Sequence, residues 1–356
     1  MDLLFERCTI SCDPTISSEI DFNPWSRREN IVRTALKIIA CVVSALSWLP
    51  AVQLAHAVEW PTKIVKIVVP YGPGGGVDSF ARPIASTLSD QLPNRIIIEN
   101  RAGAGGTVGV LAAAKSSADG TVLLAGGVHQ PMSEAVYPSR GYRIDQDFVP
   151  IAITAVVPNV LVVPAESRFA TVADIIKEAK ANPGKLTYCS SGNGTSQHII
   201  GEMFKRRAGV DILHVPYRGT APALTDLIAN VCDMMFDGMG TSAPQIEGRK
   251  LKAIALIADK RSPRFPDIPA FVEAGGPQLD ASIWYAIWAP AGTPSDLVSR
   301  IRGLVKGSLT SPAVARAWEI QGAEIPKIND EEIVGFVERE TAEWTRTVTE
   351  LGIKVD

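Results

Sequence analysis

Cysteine is scarce in this chain. There are five in 356 residues, and no two form a C-x-x-C pair, so neither a zinc ribbon nor a disulfide scaffold is encoded. Histidine is scarcer still: beyond His56 there are His129, His198 and His214, far apart and without metal-ligand spacing. A basic surplus is missing too, with 35 Lys+Arg against 38 Asp+Glu, which argues against a dedicated nucleic-acid binder. The nucleotide fingerprints are absent. Gly72–Val77 (GPGGGV), Gly103–Val108 (GAGGTV) and Gly192–Gln197 (GNGTSQ) each lack the last glycine of G-x-G-x-x-G, and no G-x-x-x-x-G-K-[ST] occurs. G-x-S-x-G and H-E-x-x-H are likewise missing, which disfavours α/β-hydrolases and zinc peptidases. No apolar run approaches the ~20 residues that a membrane-spanning helix needs. What remains is an ordinary globular balance, 46% hydrophobic and 21% charged, long enough for two domains.

Residues 1–57 read as a leader. Arg27, Arg28, Arg33 and Lys37 precede the apolar run Ile38–Leu49, and Ala55-His56-Ala57 ends the stretch as a small-x-small cleavage site. Ser26-Arg27-Arg28 has the look of a twin-arginine pair, but Glu29 and Asn30 follow where apolar residues belong. Export to the periplasm with removal of residues 1–57 is expected, and it leaves Cys189 and Cys232 as the cysteines of the mature chain.

From Lys63 onward, β-branched runs alternate with helical spacing, and glycine marks the joints. Strand Lys63–Pro70 leads to helix Asp78–Leu92, strand Arg95–Glu99 to helix Thr107–Lys115, and strand Thr121–Ala125 to a loop Gly126–Gln130. A second series follows: strand Leu186–Ser190 with helix Ser196–Arg207, strand Ile212–Pro216 with helix Ala221–Asn230, strand Cys232–Phe236 with a helix near Ala243–Glu247, then strand Leu251–Ala258. Such alternation predicts two α/β blocks built on parallel strands. Ile151–Val163 and Ser282–Ala289 are almost wholly apolar and have the composition of crossover strands between the blocks, where a hinge is expected; Ser295–Leu309 and Glu331–Leu351 read as C-terminal helices. Cys189 lies near the end of one strand and Cys232 opens another. In neighbouring parallel strands that places the thiols roughly 10 Å apart, at ~3.3 Å per residue, so free, buried thiols are expected.

The glycine joints have a chemistry of their own. Glycine admits a ligand close to backbone N–H groups, and a helix N-terminus presents unpaired donors and partial positive charge. Two blocks with such edges facing each other would form a cleft for a small carboxylate.

Six segments in this order — PYGPGGGVDSFAR (Pro70–Arg82), ENRAGAGGTVG (Glu99–Gly109), SSGNGTSQH (Ser190–His198), HVPYRGTAPALTDLIAN (His214–Asn230), DMMFDG (Asp233–Gly238) and WAPAGTP (Trp288–Pro294) — resemble the Bug receptors, periplasmic solute-binding proteins of tripartite tricarboxylate transporters. The resemblance covers the chain from about Trp60 to its end. It implies an α/β fold of the type II periplasmic-binding-protein class: two α/β domains, 58–158 with 285–356 and 159–284, joined by two crossover strands around a ligand cleft. It also implies a ligand site of Tyr71, Gly75, Gly76 and Asp78 from the first loop, with Ser191, Asn193, Gly194 and Thr195, then Tyr217, Arg218 and Gly219, and Asp237 from the second block. His129 and Gln130 occupy a position that tunes ligand choice. The implied function is capture of a di- or tricarboxylate, amino acid or aromatic acid by a monomer that closes about its hinge and hands the ligand to membrane transporter subunits, with no cofactor and no nucleic acid. A ligand sensor presenting its closed form to a membrane kinase, or an enzyme on the same scaffold, are the competing readings; no nucleophile–base pair supports the enzyme.

Overall fold

The computed structural model describes residues 60–354. The expected leader, its apolar run and its cleavage site lie outside the described residues.

The first half is a run of βα units. Strand β1 (Val65–Val69) leads to helix α1 (Gly76–Gln91), β2 (Ile96–Asn100) to α2 (Thr107–Ala114), and β3 (Val122–Gly127) to α3 (His129–Val136) and the short α4 (Ile144–Asp147). β1 lies between β2 and β3, parallel to both, with Ile67 opposite Ile98 on one side and Leu123 on the other. All of β1 is buried except Lys66, whose ammonium reaches the Glu99 carboxylate at 3.0 Å. A strand covered on both faces needs this near-continuous apolar run.

Strand β4 (Phe148–Pro164), 17 residues long, carries the chain into the second half. There α5 (Val172–Ala181), β5 (Thr187–Ser190), α6 (Ser196–Ala208), β6 (Leu213–Pro216), α7 (Thr220–Ile228), β7 (Met234–Gly238), α8 (Met239–Glu247) and β8 (Leu251–Leu256) follow. Thr171 and Asp174 start α5 with a reciprocal capping box. The chain then returns through β9 (Ser282–Pro290) and ends in α9 (Ser295–Leu309), α10 (Pro312–Ile320) and α11 (Glu332–Leu351). The strand order is β2-β1-β3-β9-β4-β7-β5-β6, with β8 also paired to β4.

β4 belongs to both halves. Phe148–Pro158 pair antiparallel with β9, and Asn159–Val162 pair with β7, so the strand changes partners between Pro158 and Asn159. Ser282–Ala289, expected as the second crossing, sits instead inside the first sheet, paired with β3 on one side and β4 on the other. The return crossing falls just before it, at Ala281. Three backbone and side-chain bonds lace the two crossings together: Ile257 N–H to the Asn159 carbonyl (2.8 Å), Ala281 N–H to the Ile257 carbonyl (3.1 Å) and Asn159 Nδ2 to the Ala281 carbonyl (2.9 Å). The apolar character of β9 reflects burial in a sheet interior, where Trp284 and Trp288 are almost fully enclosed.

Two local expectations change. Gly126–Gln130 is not all loop, because His129 and Gln130 open α3. Pro131 does not prevent this, because proline is tolerated in a first helical turn, where its missing N–H has no intrahelical acceptor to lose. Cys189 and Cys232 are free and buried, but they are not far apart: both sulfurs approach the Met234 carbonyl oxygen, at 3.6 and 3.4 Å. The residues ahead of β7 do not continue the strand; they form a bend, with Val231 N–H bonded back to the Asp226 carbonyl. Among the described residues no helix is long and apolar enough to cross a membrane.

Candidate ligand-binding cleft

The strand ends of both halves meet at one cleft. The N-termini of α1, α6 and α7 begin at Gly75, Thr195 and Gly219, and none has a side-chain cap at its N-cap residue. α1 and α7 face each other: a Cβ placed on Gly75 would stand 3.5 Å from Thr220 Oγ1. Gln197, in the first turn of α6, draws the third helix to them. Its Nε2 donates to Thr220 Oγ1 at 3.4 Å and to Asp237 Oδ1 at 2.7 Å, while its Oε1 accepts the Ser191 N–H at 2.8 Å. Three uncapped helix starts converging on one place make an anion-receptive region out of backbone.

A cavity of about 520 Å³ opens here, walled by both halves. Tyr71, Gly72 and the loop Ala102–Gly106 line one side; Ser191–Asn193 and Pro216–Gly219 line the other, with Tyr137 at the edge. Arg218 is the one charged residue on this lining. It is exposed and forms no ion pair among the described residues. Tyr217 turns its hydroxyl away, donating to Asp226 Oδ2 at 2.6 Å.

Of the residues expected from the sequence, Tyr71, Ser191, Asn193, Tyr217, Arg218 and Gly219 line this cavity. Gly75, Gly76, Asp78, His129, Gln130, Gly194, Thr195 and Asp237 do not; they form the packed layer that holds its walls. Asp78 shows how. Its Oδ2 accepts the Gly74 N–H (2.9 Å) and its two oxygens take Arg82 in a bidentate pair (2.7 and 2.8 Å), with Asn100 on Oδ1. The carboxylate shapes the loop, and these partners outweigh burial and hold its pKa below the usual value. Thr195 Oγ1 likewise donates to the Gly192 carbonyl at 2.7 Å. Gly76 lies under Tyr285, whose hydroxyl would stand 2.3 Å from any Cβ.

Asp237 is fully buried at the end of β7. Desolvation pushes its carboxyl up, while Thr241, Ser242 and Gln197 donate to it and pull it back. His129 sits between the Tyr71 and Tyr285 rings, at 5.3 and 6.3 Å between centroids. Burial pushes it down to about 4, so it is neutral at pH 7. Its Nε2 meets Ser196 Oγ of the second half at 3.3 Å, whereas its Nδ1 and Gln130 Nε2 have no partner among the described residues. Gln130 Oε1 accepts the Gly127 N–H at 2.6 Å. His198 and His214 serve structure: His198 Nδ1 accepts the Gly194 N–H at 3.1 Å, and His214 Nε2 lies 2.6 Å from Ser190 Oγ.

Direct bonds span the halves. Tyr137 donates to the Asn193 carbonyl at 3.3 Å, and Ser133 Oγ bonds the Gly105 carbonyl (2.7 Å) and reaches the Gly194 carbonyl (3.4 Å). Gly105, at φ +60, presses so near Asn193 that a Cβ would come within 2.6 Å of its carbonyl oxygen. Loop Ala102–Gly106, Tyr137 and Gln197 are absent from the sequence-derived site. The loop carries the same strand–glycine–helix mark as its neighbours. Gln197 stands within the SSGNGTSQH segment. Tyr137 ends a helix that the sequence did not announce.

A sequence model of the tripartite tricarboxylate transporter family receptor matches residues 80–353. The chain is 34% identical over 298 residues to Protein BugT of Bordetella pertussis, covering 83% of this chain and 91% of that one. Two solved structures superpose closely: Rpa4515 of R. palustris with adipate (33% identity, TM-score 0.78, 83% of this chain and all of that one) and MatC of Rhodopseudomonas palustris with bound malate (29% identity, TM-score 0.76, 81% of this chain and all of that one). A glycine-walled cleft between two α/β halves and a match over nearly all of the described residues lead to one conclusion: the chain belongs to the receptor family of the tripartite tricarboxylate transporters, with the fold of its periplasmic binding proteins.

Proposed function

We propose that this protein is an exported receptor that captures a small carboxylate, dicarboxylates foremost, by closing its two halves, and delivers it to a tripartite tricarboxylate-type membrane transporter. The observation that carries this reading is the cavity itself: both halves wall it, three uncapped helix starts converge beside it, and Arg218, without an ion pair among the described residues, is the one charge on its lining. A carboxylate at the helix starts uses backbone donors, and a second one at Arg218 uses a charge-assisted bond. His129, against Ser196, and Gln130, against the Gly127 N–H, tune ligand choice from the layer behind the wall. The adipate and malate held by the two related structures are ligands of this class.

A thermal-shift panel of mono-, di- and tricarboxylates tests the reading. A ligand at about 100 times its Kd adds about 2.7 kcal/mol of stability. Arg218→Gln is expected to weaken a dicarboxylate by about tenfold, corresponding to ~1.4 kcal/mol, and a monocarboxylate much less. A panel in which no carboxylate raises the melting temperature sinks the proposal. For export, N-terminal sequencing of periplasmic material is expected to begin at Val58-Glu59-Trp60.

A further inference from the structure

The second half holds a pair of thiols that the ligand reading does not use. Cys189 is the third residue of β5, and Cys232 lies two residues ahead of β7. Both side chains are enclosed, at 0% and 2% exposure, among Val160, Leu224, Leu227 and Met235. Both sulfurs approach one acceptor, the Met234 carbonyl oxygen, at 3.6 and 3.4 Å, which gathers the two thiols at one point of the backbone. Ordinary buried cysteines serve as small apolar side chains; two of them gathered at one carbonyl are placed to react with each other.

We propose that Cys189 and Cys232 form a disulfide site that locks the second half of the cleft. In the reaction one thiolate attacks the sulfur–sulfur bond of a small or protein disulfide, forming a mixed disulfide and releasing one thiolate of the oxidant. The other cysteine, as thiolate, then attacks the sulfur of its neighbour and expels the second. Two electrons pass from the pair to the oxidant, its S–S bond is reduced, and the two protons end on the released thiols. Cys232 is the point of entry. It follows Val231, which is 66% exposed, and Asn230, held at φ +58, so opening of this short turn uncovers its sulfur while β5 stays in place.

The bond joins the two strands that carry the second wall of the cleft. Cys189 immediately precedes Ser190 and the loop Ser191–Thr195, and Cys232 begins the segment that ends in Asp237. Oxidation therefore fixes the loop and the Asp237 network relative to each other before any ligand arrives. Export supplies the oxidising surroundings in the cell, but the chemistry itself is testable on purified protein.

The experiment refolds the reduced full chain in a mixture of reduced and oxidised glutathione, traps remaining thiols with N-ethylmaleimide and maps the peptides by mass spectrometry. A linked peptide containing Cys189 and Cys232, lighter by two hydrogens than the sum of its parts, is expected. Recovery of both cysteines as maleimide adducts, or each carrying its own glutathione, overturns the proposal. In parallel, the melting temperature of the oxidised chain is expected to fall by several degrees in dithiothreitol, and that of Cys232→Ser to be indifferent to it. An equal fall in the variant overturns the assignment of the bond to this pair. Peptide mapping separates the pair from Cys8, Cys12 and Cys41, and N-terminal sequencing of periplasmic protein separates a failure here from a failure of export.

Discussion

Gln197 ties three parts of the second wall of the cleft together. Its amide serves Ser191, Thr220 and Asp237 at once. Gln197→Ala leaves the Ser191 N–H and part of the Asp237 carboxylate without these partners, and about 1–3 kcal/mol for each buried polar group is the expected cost. Chemical denaturation measures it, and Gln197→Glu is expected to be worse than Ala, because it sets a second carboxylate against Asp237. The two neighbouring glycines separate by the same reasoning. A Cβ at Gly75 meets Thr220 at an ordinary 3.5 Å, so Gly75→Ala folds normally, while Gly75→Val presses on the opposing half and lowers ligand affinity. Gly76→Ala collides with Tyr285, which is stacked on Phe80 at 4.2 Å and cannot swing away, so its loss appears in the melting temperature. Acid acts through the histidines. Burial lowers His129 and His198 to about 4 and His214 to about 3, against 6.5 unperturbed. Above pH 6.5 they are neutral folded or unfolded; as pH falls from there toward 4, the unfolded chain takes protons that the folded chain refuses, and stability drops. Asp237 and Glu134, raised by burial, offset part of the loss. A lower urea midpoint at pH 5 than at pH 7 is expected, and protonation of His198 also removes the acceptor of Gly194 N–H.

At the scale of elements, the exchange of partners within β4 marks the point where a hinge is expected. Pro158 has no N–H to give, and Asn159 fastens the outgoing crossing to the returning one through the Ala281 carbonyl. Asn159→Ala is expected to cost about 1–3 kcal/mol and to shift the open–closed balance, read as a changed radius of gyration without ligand. The βα units were legible because each strand is β-branched, each helix keeps its apolar spacing and a glycine stands at each joint. Helix α3 was not, since Pro131 near its start imitates a break. α5 carries apolar spacing at Val172, Ile175 and Ala179 behind its Thr171–Asp174 cap, but no glycine joint or β-branched strand flanks it closely enough to mark it as another unit. β9 looked like a bridge because an interior strand and a crossing strand are equally apolar; only pairing distinguishes them. The site divides in the same way. Loops were found through glycine, whereas Tyr137, Gln197 and the meeting of the two thiols depend on contacts between distant segments, and spacing along the chain does not record them.

For the whole molecule, the bonds from Tyr137 and Ser133 to the loop Asn193–Gly194 describe halves already in contact. Hinge motion then predicts a larger radius of gyration by small-angle scattering without ligand and a smaller one at saturation, since a ligand shifts the balance only by binding the closed form better. An unchanged radius indicates a rigid cleft. Strand order has a consequence for how the chain comes into being. β9 is inserted between β3 and β4, so the first sheet lacks an interior strand until residue 290 has been made, and α9 to α11 emerge later still. The second half, residues 159–281, is one uninterrupted stretch and needs nothing from the C-terminus to pair β5, β6 and β7. A growing chain therefore completes its inner segment first and keeps its outer segment unfinished to the end.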